Sequence, residues 1–200
     1  MHKGYILQFK DVAKDIRVLT IKLSSPYPYH AGQYAFFEIE GTDPRPFSIA
    51  NAPRADNTID IHVRDSGQNI SSILCGEIRD SQSISVSDPY GKLKIQHTDK
   101  SKIFLAGGTG ITPFLAMMQE TSAPITLYWG MDNDHDFYVR PHHQGIVVHY
   151  CTDTYPIDAY LRSPIDNGEY YLSGPPAMVR DSLSKLLDLG VEHSNIYYDE

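Results

Sequence analysis

Apolar and polar positions alternate with a period of two through the first half of the chain. In the second half, short apolar runs are separated by segments of helical period. The clearest strand is 58–64, where Ile59, Ile61 and Val63 share one face and Asp60, His62 and Arg64 the other. Similar runs occupy 5–12, 15–23, 33–40, 45–51 and 83–87, divided by clusters of Pro, Gly, Asn and Asp. Ile70, Ile73 and Leu74 fall at helical spacing and predict one helix over 69–78. Six strands and one helix predict a small antiparallel β-barrel, closed or of Greek-key type.

The second half opens on the apolar run Ile103, Phe104, Leu105 and Ala106, which empties into Gly107, Gly108 and Gly110. Thr112 is read as an N-cap and Pro113 as the first helical residue, leading a helix that carries Phe114, Leu115, Met117 and Met118. Further strands are expected over 125–130, 145–150 and 169–173. Gly174-Pro175-Pro176 then starts a helix with Val179, Leu183, Leu186 and Leu187 on one face, stopped by Gly190, before a last strand over 195–198. Alternating strands and helices imply an α/β doubly wound parallel sheet that binds ligands at its carboxyl edge. The chain is therefore expected to form two domains, 1–98 and 99–200, meeting in the polar segment 97–101.

A glycine turn behind a buried strand offers bare backbone N–H groups to a phosphate. Pro113 stands where the dinucleotide fingerprint has its third glycine, and no lysine follows as an ATPase loop requires. A tight turn without a ligand is the competing reading. Lys and Arg number 17 against 25 Asp and Glu, a net charge of −8 that argues against nucleic acid and leaves any anionic cofactor to local donors. Cys75 and Cys151 form no C-x-x-C pair, so no zinc, disulfide or iron–sulfur framework is expected. The start of the chain lacks an apolar signal core and no stretch reaches membrane-spanning length, so a cytoplasmic protein without membrane contact is expected.

Five motifs, in order, carry a family resemblance. They are Ala31-Gly32-Gln33-Tyr34, Arg45-Pro46-Phe47-Ser48, Asp88-Pro89-Tyr90-Gly91, the run from Gly107 to Pro113, and Leu172-Ser173-Gly174-Pro175-Pro176-Ala177-Met178. Together they resemble the ferredoxin–NADP reductase superfamily. With Tyr128-Trp129-Gly130 they look most like its NAD(P)H:flavin reductases and the reductase components of oxygenases. The resemblance implies a flavin, FAD or FMN, at the barrel edge and a nicotinamide nucleotide on the parallel sheet. It assigns the flavin phosphate to Arg45, with Pro46 beside it, the flavin ring to Phe47, and the neighbourhood of flavin N5 to Ser48. A turn over 67–72, with Gly67, Ser71 and Ser72, is implied as a phosphate site to which Arg64 adds charge. Gly107, Gly108, Thr109, Gly110 and Thr112 would meet the nucleotide, with Gly174, Pro175 and Pro176 as the opposite wall.

The chain also departs from that pattern. Ser173 stands where the family has a cysteine beside the nicotinamide; Ser48 and Ser173 are the expected catalytic pair. Met131, Asp132, Asn133 and Asp134 replace a nucleotide-binding arginine, which favours NADH over NADPH. No terminal aromatic closes the flavin's other face, so Tyr197 or Tyr198 is a substitute and Asp199 or Glu200 is expected near the site. The segment 137–145 is too short for the usual helix and suggests an exposed docking surface. His135, His142 and His143 match no standard metal spacing, and no metal is expected. Three functions remain open: an enzyme that oxidises NAD(P)H and reduces free flavin or another small acceptor, an electron-delivery subunit that holds its flavin permanently and recognises an oxygenase or carrier protein, and a reductase-like binding module without turnover.

Overall fold

The protein was analysed as a computed structural model, which describes residues 1–65, 67, 69–76 and 82–199. The period-two half forms β1 (His2–Ala13), β2 (Ile16–Leu23), β3 (Tyr34–Glu38), β4 (Arg45–Ser48), β5 (Thr58–Arg64), the helix α1 (Asn69–Cys75) and β6 (Ser83–Val86). These strands make one antiparallel sheet in the order β4-β3-β6-β1-β2-β5. Its outer strands approach each other through a single bridge between Ile49 and Ile61. The sheet thus curls like a barrel without closing, which corrects the fully closed alternative. Ile59, Ile61 and Val63 point into its core as their alternation requires, with Ile70 and Leu74 of α1 plugging one end. The helix expected to reach Ile78 is described only to Cys75; its predicted continuation lies outside the described residues.

The second half forms β7 (Lys102–Gly107), α2 (Thr112–Met117), β8 (Ile125–Gly130), β9 (Ile146–Cys151), α3 (Pro156–Leu161), β10 (Glu169–Ser173), α4 (Pro176–Asp188) and β11 (Ile196–Tyr197). The five strands are parallel, in the order β11-β10-β7-β8-β9, with β7 at the centre and buried along its whole length. Two predictions fail in detail. Helix α3, only six residues long and begun by Pro156, was too short to show a helical period. On α4 the buried positions are Met178, Val179, Ser182 and Leu186, while Leu187 is exposed: the stripe is rotated toward Met178 because that side chain covers Gly107. Among the described residues no helix is long and apolar enough to cross a membrane.

The junction between the halves is held by a buried ion pair. Lys102 opens β7 and Glu169 opens β10, facing each other in register, with Lys102 Nζ 2.6 Å from Glu169 Oε2. Lys102 also donates to the Thr98 carbonyl and hydroxyl oxygens, at 3.1 and 2.9 Å. The hydroxyls of Thr98 and Tyr171 donate to Glu169, and Tyr171 accepts the Gln96 N–H, so the connecting segment is tied to the sheet. A buried pair contributes through this full satisfaction of its hydrogen-bonding groups; an orphaned partner is costly. Lys102→Met is expected to lower the free energy of unfolding by about 3–5 kcal/mol, and the double variant with Glu169→Met by clearly less. Urea denaturation of the three proteins checks this.

Candidate functional site between the two sheets

The turns that follow β7 and β10 lie against each other. A Cβ on Gly110 would collide with the Ser173 carbonyl oxygen and stand 2.6 Å from Gly174 Cα. One on Gly107 would meet Met178 Sδ at 2.6 Å and Pro175 Cδ at 2.9 Å, and one on Gly174 would meet Gly107 N at 2.9 Å. Gly110 and Gly174 therefore serve a backbone-on-backbone contact, and the space over Gly107 is taken by the Met178 and Pro175 side chains. Gly108 is different: its φ is +58°, and the nearest atom to its missing Cβ is Arg64 Nη1 at 4.0 Å. Trp129 Nε1 donates to the Gly108 carbonyl at 2.9 Å.

Thr112 is not an N-cap. A 3₁₀ turn over Gly108–Ile111 precedes α2, so Thr112 is already helical and its hydroxyl donates backward to the Thr109 carbonyl at 2.7 Å. Pro113, buried, lies just inside the helix start, where its missing N–H costs nothing.

Where the carboxyl ends of the parallel strands face the first sheet there is a cleft of about 100 Å³. Ser48 at the end of β4 and Ser173 at the end of β10 both line it, together with Tyr34, Pro113 and Asp199. Tyr34 is the register partner of Ser48. Asp199 accepts the N–H groups of Lys92 at 2.7 Å and Leu93 at 3.2 Å. Gly91, with φ +97°, has no room for a Cβ beside Asp199 Oδ2. Asp199 lies at the cleft, as one of the two acidic residues expected near the site, whereas Tyr34 and Gly91 were not assigned roles from the sequence although two of the five motifs contain them. Tyr197 instead stacks on Tyr171 at 4.9 Å, and Tyr198 packs against the other core cluster beside His193. Glu200 lies outside the described residues. A larger cavity of about 470 Å³ sits at the opposite end of β10, where the hydroxyls of Tyr160 and Tyr170 are both engaged with the Ile165 carbonyl.

The remaining predicted residues are distributed along the edges. Arg45 and Pro46 are exposed, and among the described residues no carboxylate pairs with Arg45. Phe47 is half-buried with its ring 5.8 Å from Phe37 of the barrel core, so one side of it is already packed. Gly67 N–H and the Ser72 hydroxyl both donate to Asp65 at 2.8 Å, and these bonds hold the Asp65 carboxyl below its usual range. Ser71 is buried on α1. Gln68 lies outside the described residues. Pro175 and Pro176 are exposed where α4 begins. Arg64 Nε is buried and makes no hydrogen bond, 3.4 Å from Asp15 Oδ2, with its guanidinium toward Gly108.

Of the segment expected as an exposed docking surface, Phe137, Tyr138 and Val139 pack on the second core, with the Phe137 ring 5.0 Å from Trp129, while Arg140, His142, Gln144 and Gly145 are exposed. His143 Nε2 lies 2.8 Å from the Thr121 carbonyl, and His135 pairs with Asp136. Among the described residues no cluster of His, Cys, Asp or Glu is arranged to hold a metal.

Two sheets thus meet at a cleft, one bringing a glycine turn to it and the other carrying an exposed arginine that no carboxylate pairs with among the described residues. A family model for an FAD-binding domain matches residues 6–113, just over half of the chain, and one for an oxidoreductase NAD-binding domain matches 104–155. The chain belongs to the ferredoxin–NADP reductase superfamily. It is 28% identical, over 98% of its length and 68% of the relative's, to the ferredoxin–NAD(P)(+) reductase component of the naphthalene 1,2-dioxygenase system of Pseudomonas putida. It is 33% identical to the CDP-6-deoxy-L-threo-D-glycero-4-hexulose-3-dehydrase reductase of Yersinia pseudotuberculosis, over 64% of this chain and 41% of that one. The chain thus spans about two thirds of the first relative and about two fifths of the second. Among solved structures, an Amycolatopsis cytochrome P450 reductase superposes with a TM-score of 0.89 at 21% identity, covering 100% of this chain and 69% of that one, a likeness of fold.

The residues fit these cofactors. The Arg45 fork is free for a phosphate and the Gly108 turn is open on one side, so FAD and NAD(P)H have a cation and a bare backbone available.

Two outcomes test this geometry. Gly110→Ala forces the apposed turns apart and is expected to cost about 1–3 kcal/mol in thermal unfolding. His62, on β5, is buried and its pKa is pushed down to about 4 by desolvation, against ~6.5 unfolded. The unfolded state therefore takes up the proton first: stability is full above about pH 6.5 and falls as the pH drops toward 4, by a few kcal/mol. His62→Gln should flatten that part of the pH–stability curve.

Proposed function

We propose that the chain oxidises NADH through bound FAD and passes the electrons to a protein acceptor, as the reductase module of a larger redox or oxygenase system. The observation carrying this is that Ser48 and Ser173, from the two sheets, line one cleft. When bound, the flavin supplies the ability to accept hydride from the nicotinamide and to release electrons onward. The chain's own contribution is placement, since bringing the two rings to roughly 3–3.5 Å makes the transfer effectively intramolecular.

Arg45 is assigned to the flavin phosphate, with Pro46 and the open side of Phe47 beside it, and Ser48 is assigned to hydrogen-bond near the reacting edge. Ser173 offers a hydroxyl to the nicotinamide from the other side. Tyr34 supplies an aromatic wall of the cleft, and Asp199 holds the turn at Gly91 by its two backbone bonds. The Gly108–Thr109 stretch takes the nucleotide's pyrophosphate with Arg64 as counter-charge; this moves Arg64 from the flavin phosphate to the nucleotide. Gly107, Gly110, Gly174, Pro175 and Pro176 shape that turn, and Thr112 locks it. At the 67–72 turn, Gly67, Ser71 and Ser72 keep the assignment to a phosphate, with Asp65 holding the Gly67 N–H and the Ser72 hydroxyl.

Asp132 and Asp134 stand exposed after β8 and repel a 2′-phosphate, which supports NADH over NADPH. The domain boundary is placed at residues 98–99, beside the buried Lys102–Glu169 pair. Two free cysteines support a reducing, cytoplasmic location. An acceptor that is a protein is supported by the relatives' printed roles in dioxygenase and dehydrase systems.

Anaerobic absorbance spectroscopy of the FAD-loaded protein tests the reading. NADH is expected to bleach the oxidised flavin band, and to do so faster than NADPH; a flavin that binds but is bleached by neither would leave a binding module without turnover. Arg45→Leu is expected to weaken FAD binding roughly 10- to 100-fold, the loss of a charge-assisted hydrogen bond of about 1.5–3 kcal/mol, read by fluorescence titration.

A further inference from the structure

Trp129 is the one tryptophan of the chain. It lies on β8 as the register partner of Ala106, the residue just before Gly107 on β7, and none of its surface is exposed. Its indole N–H donates to the Gly108 carbonyl at 2.9 Å. The rings of Phe137, at 5.0 Å, and Tyr138, at 5.5 Å, meet the indole edge to face. Tyr138 also reaches the first sheet, where its hydroxyl lies 3.0 Å from His62 Nδ1 on β5. The indole is thereby braced from the first sheet while it grips the glycine turn of the second.

A turn that contains Gly107 and Gly108 is soft. With φ +58° at Gly108 and open space where its Cβ would stand, rotation of the Gly108–Thr109 peptide meets little steric resistance. The indole supplies the resistance. A buried indole N–H needs an acceptor, and a flipped peptide would present an N–H to it instead, leaving a donor orphaned in the core. The described peptides are all trans, so a Gly108 carbonyl held by Trp129 points the Thr109 N–H the opposite way, away from the buried indole. The group nearest to the missing Gly108 Cβ is Arg64 Nη1, at 4.0 Å. The turn thus carries a fixed amide dipole close to a guanidinium, a pairing of donors that suits a pyrophosphate.

We propose that Trp129 is a positioning residue for the nicotinamide nucleotide, holding the Gly108–Thr109 peptide in the orientation that receives its pyrophosphate. This rests on the reading that the turn takes the nucleotide's pyrophosphate. Fully buried, Trp129 acts through Gly108: it sets the peptide before the ligand arrives, which reduces the ordering cost of binding.

Because the chain has one tryptophan, growth on a tryptophan analogue replaces Trp129 alone. The full chain carrying benzothienylalanine, with sulfur in place of the ring N–H, keeps the shape and loses the donor. Its NADH affinity is expected to fall about fivefold, the scale of one hydrogen bond, with FAD affinity unchanged. Fluorotryptophan keeps the N–H, and that protein is expected to bind NADH as the unsubstituted one does. A residue that only packs would leave the two analogue proteins alike, so equal NADH affinity in both, or a parallel loss of FAD and NADH affinity, would overturn the proposal. Where the benzothienyl protein does not fold, isotope-labelled unsubstituted protein decides the matter: its single indole N–H resonance is expected to be protected from solvent exchange without ligand and to shift on saturation with NAD+, and a resonance that does not shift would overturn the proposal. Unsubstituted protein that binds neither NADH nor NAD+ would overturn the functional reading and the proposal with it; a protected indole N–H then places the failure in the ligand reading rather than in the Trp129–Gly108 bond.

Discussion

The contact between two backbone turns, Gly107 to Gly110 after β7 and Ser173 to Gly174 after β10, governs the geometry of everything at the cleft. No side chain fits between them, so neither turn can move without the other. Their meeting is prepared at the far end of the same two strands. There Lys102 and Glu169 pair in register inside the protein, and a parallel ladder carries that register four residues along to Ala106 and Ser173. A fully satisfied buried ion pair acts here as a register pin, because any slip would leave a charge without its partner.

The first sheet contributes to the cleft from its end rather than its face. Ser48 and Tyr34 face each other across β3 and β4, and the Gly91 turn is held by Asp199 from the far end of the chain. Consequently the cleft is assembled from four stretches remote in sequence, each fixed by backbone hydrogen bonds or a ladder. The inward-packed segment at Phe137–Val139 adds a second connection between the sheets, through Tyr138 to His62. FAD and NAD(P)H, bound from opposite sheets, would meet between these supports.

Alternation and periodicity in the sequence located most strands closely: the expected 58–64, 125–130 and 169–173 match the observed β5, β8 and β10 residue for residue. Such patterns are local, and burial of one face is enough to produce them. The five motifs were legible as an ordered set, because each combines a backbone requirement with a chemical group. The purpose of individual glycines was less legible. A missing Cβ looks the same whether a ligand or another part of the chain fills the space: in the two apposed turns Gly107, Gly110 and Gly174 are covered, while Gly108 is left open. Thr112 was misread for a related reason: a hydroxyl before Pro serves as a cap or bonds backward according to whether the preceding turn is already helical.

The sequence by itself determined two sheets of different kind, the glycine turn on a buried central strand and the strand over Arg45–Ser48. Those follow from residue type and spacing, which act within a few residues. Tertiary structure alone decided that Asp199 is held at the cleft by the Lys92 and Leu93 N–H groups while Tyr197 stacks on Tyr171, that Asp65 takes the Gly67 N–H and the Ser72 hydroxyl, that Arg64 points toward Gly108, and that residues 137–139 fold inward, Tyr138 meeting His62. Each of these depends on a hydrogen-bonding or charged group finding its partner across the fold, often from a distant part of the chain. Burial makes that pairing obligatory, and its choice of partner is written only in three dimensions.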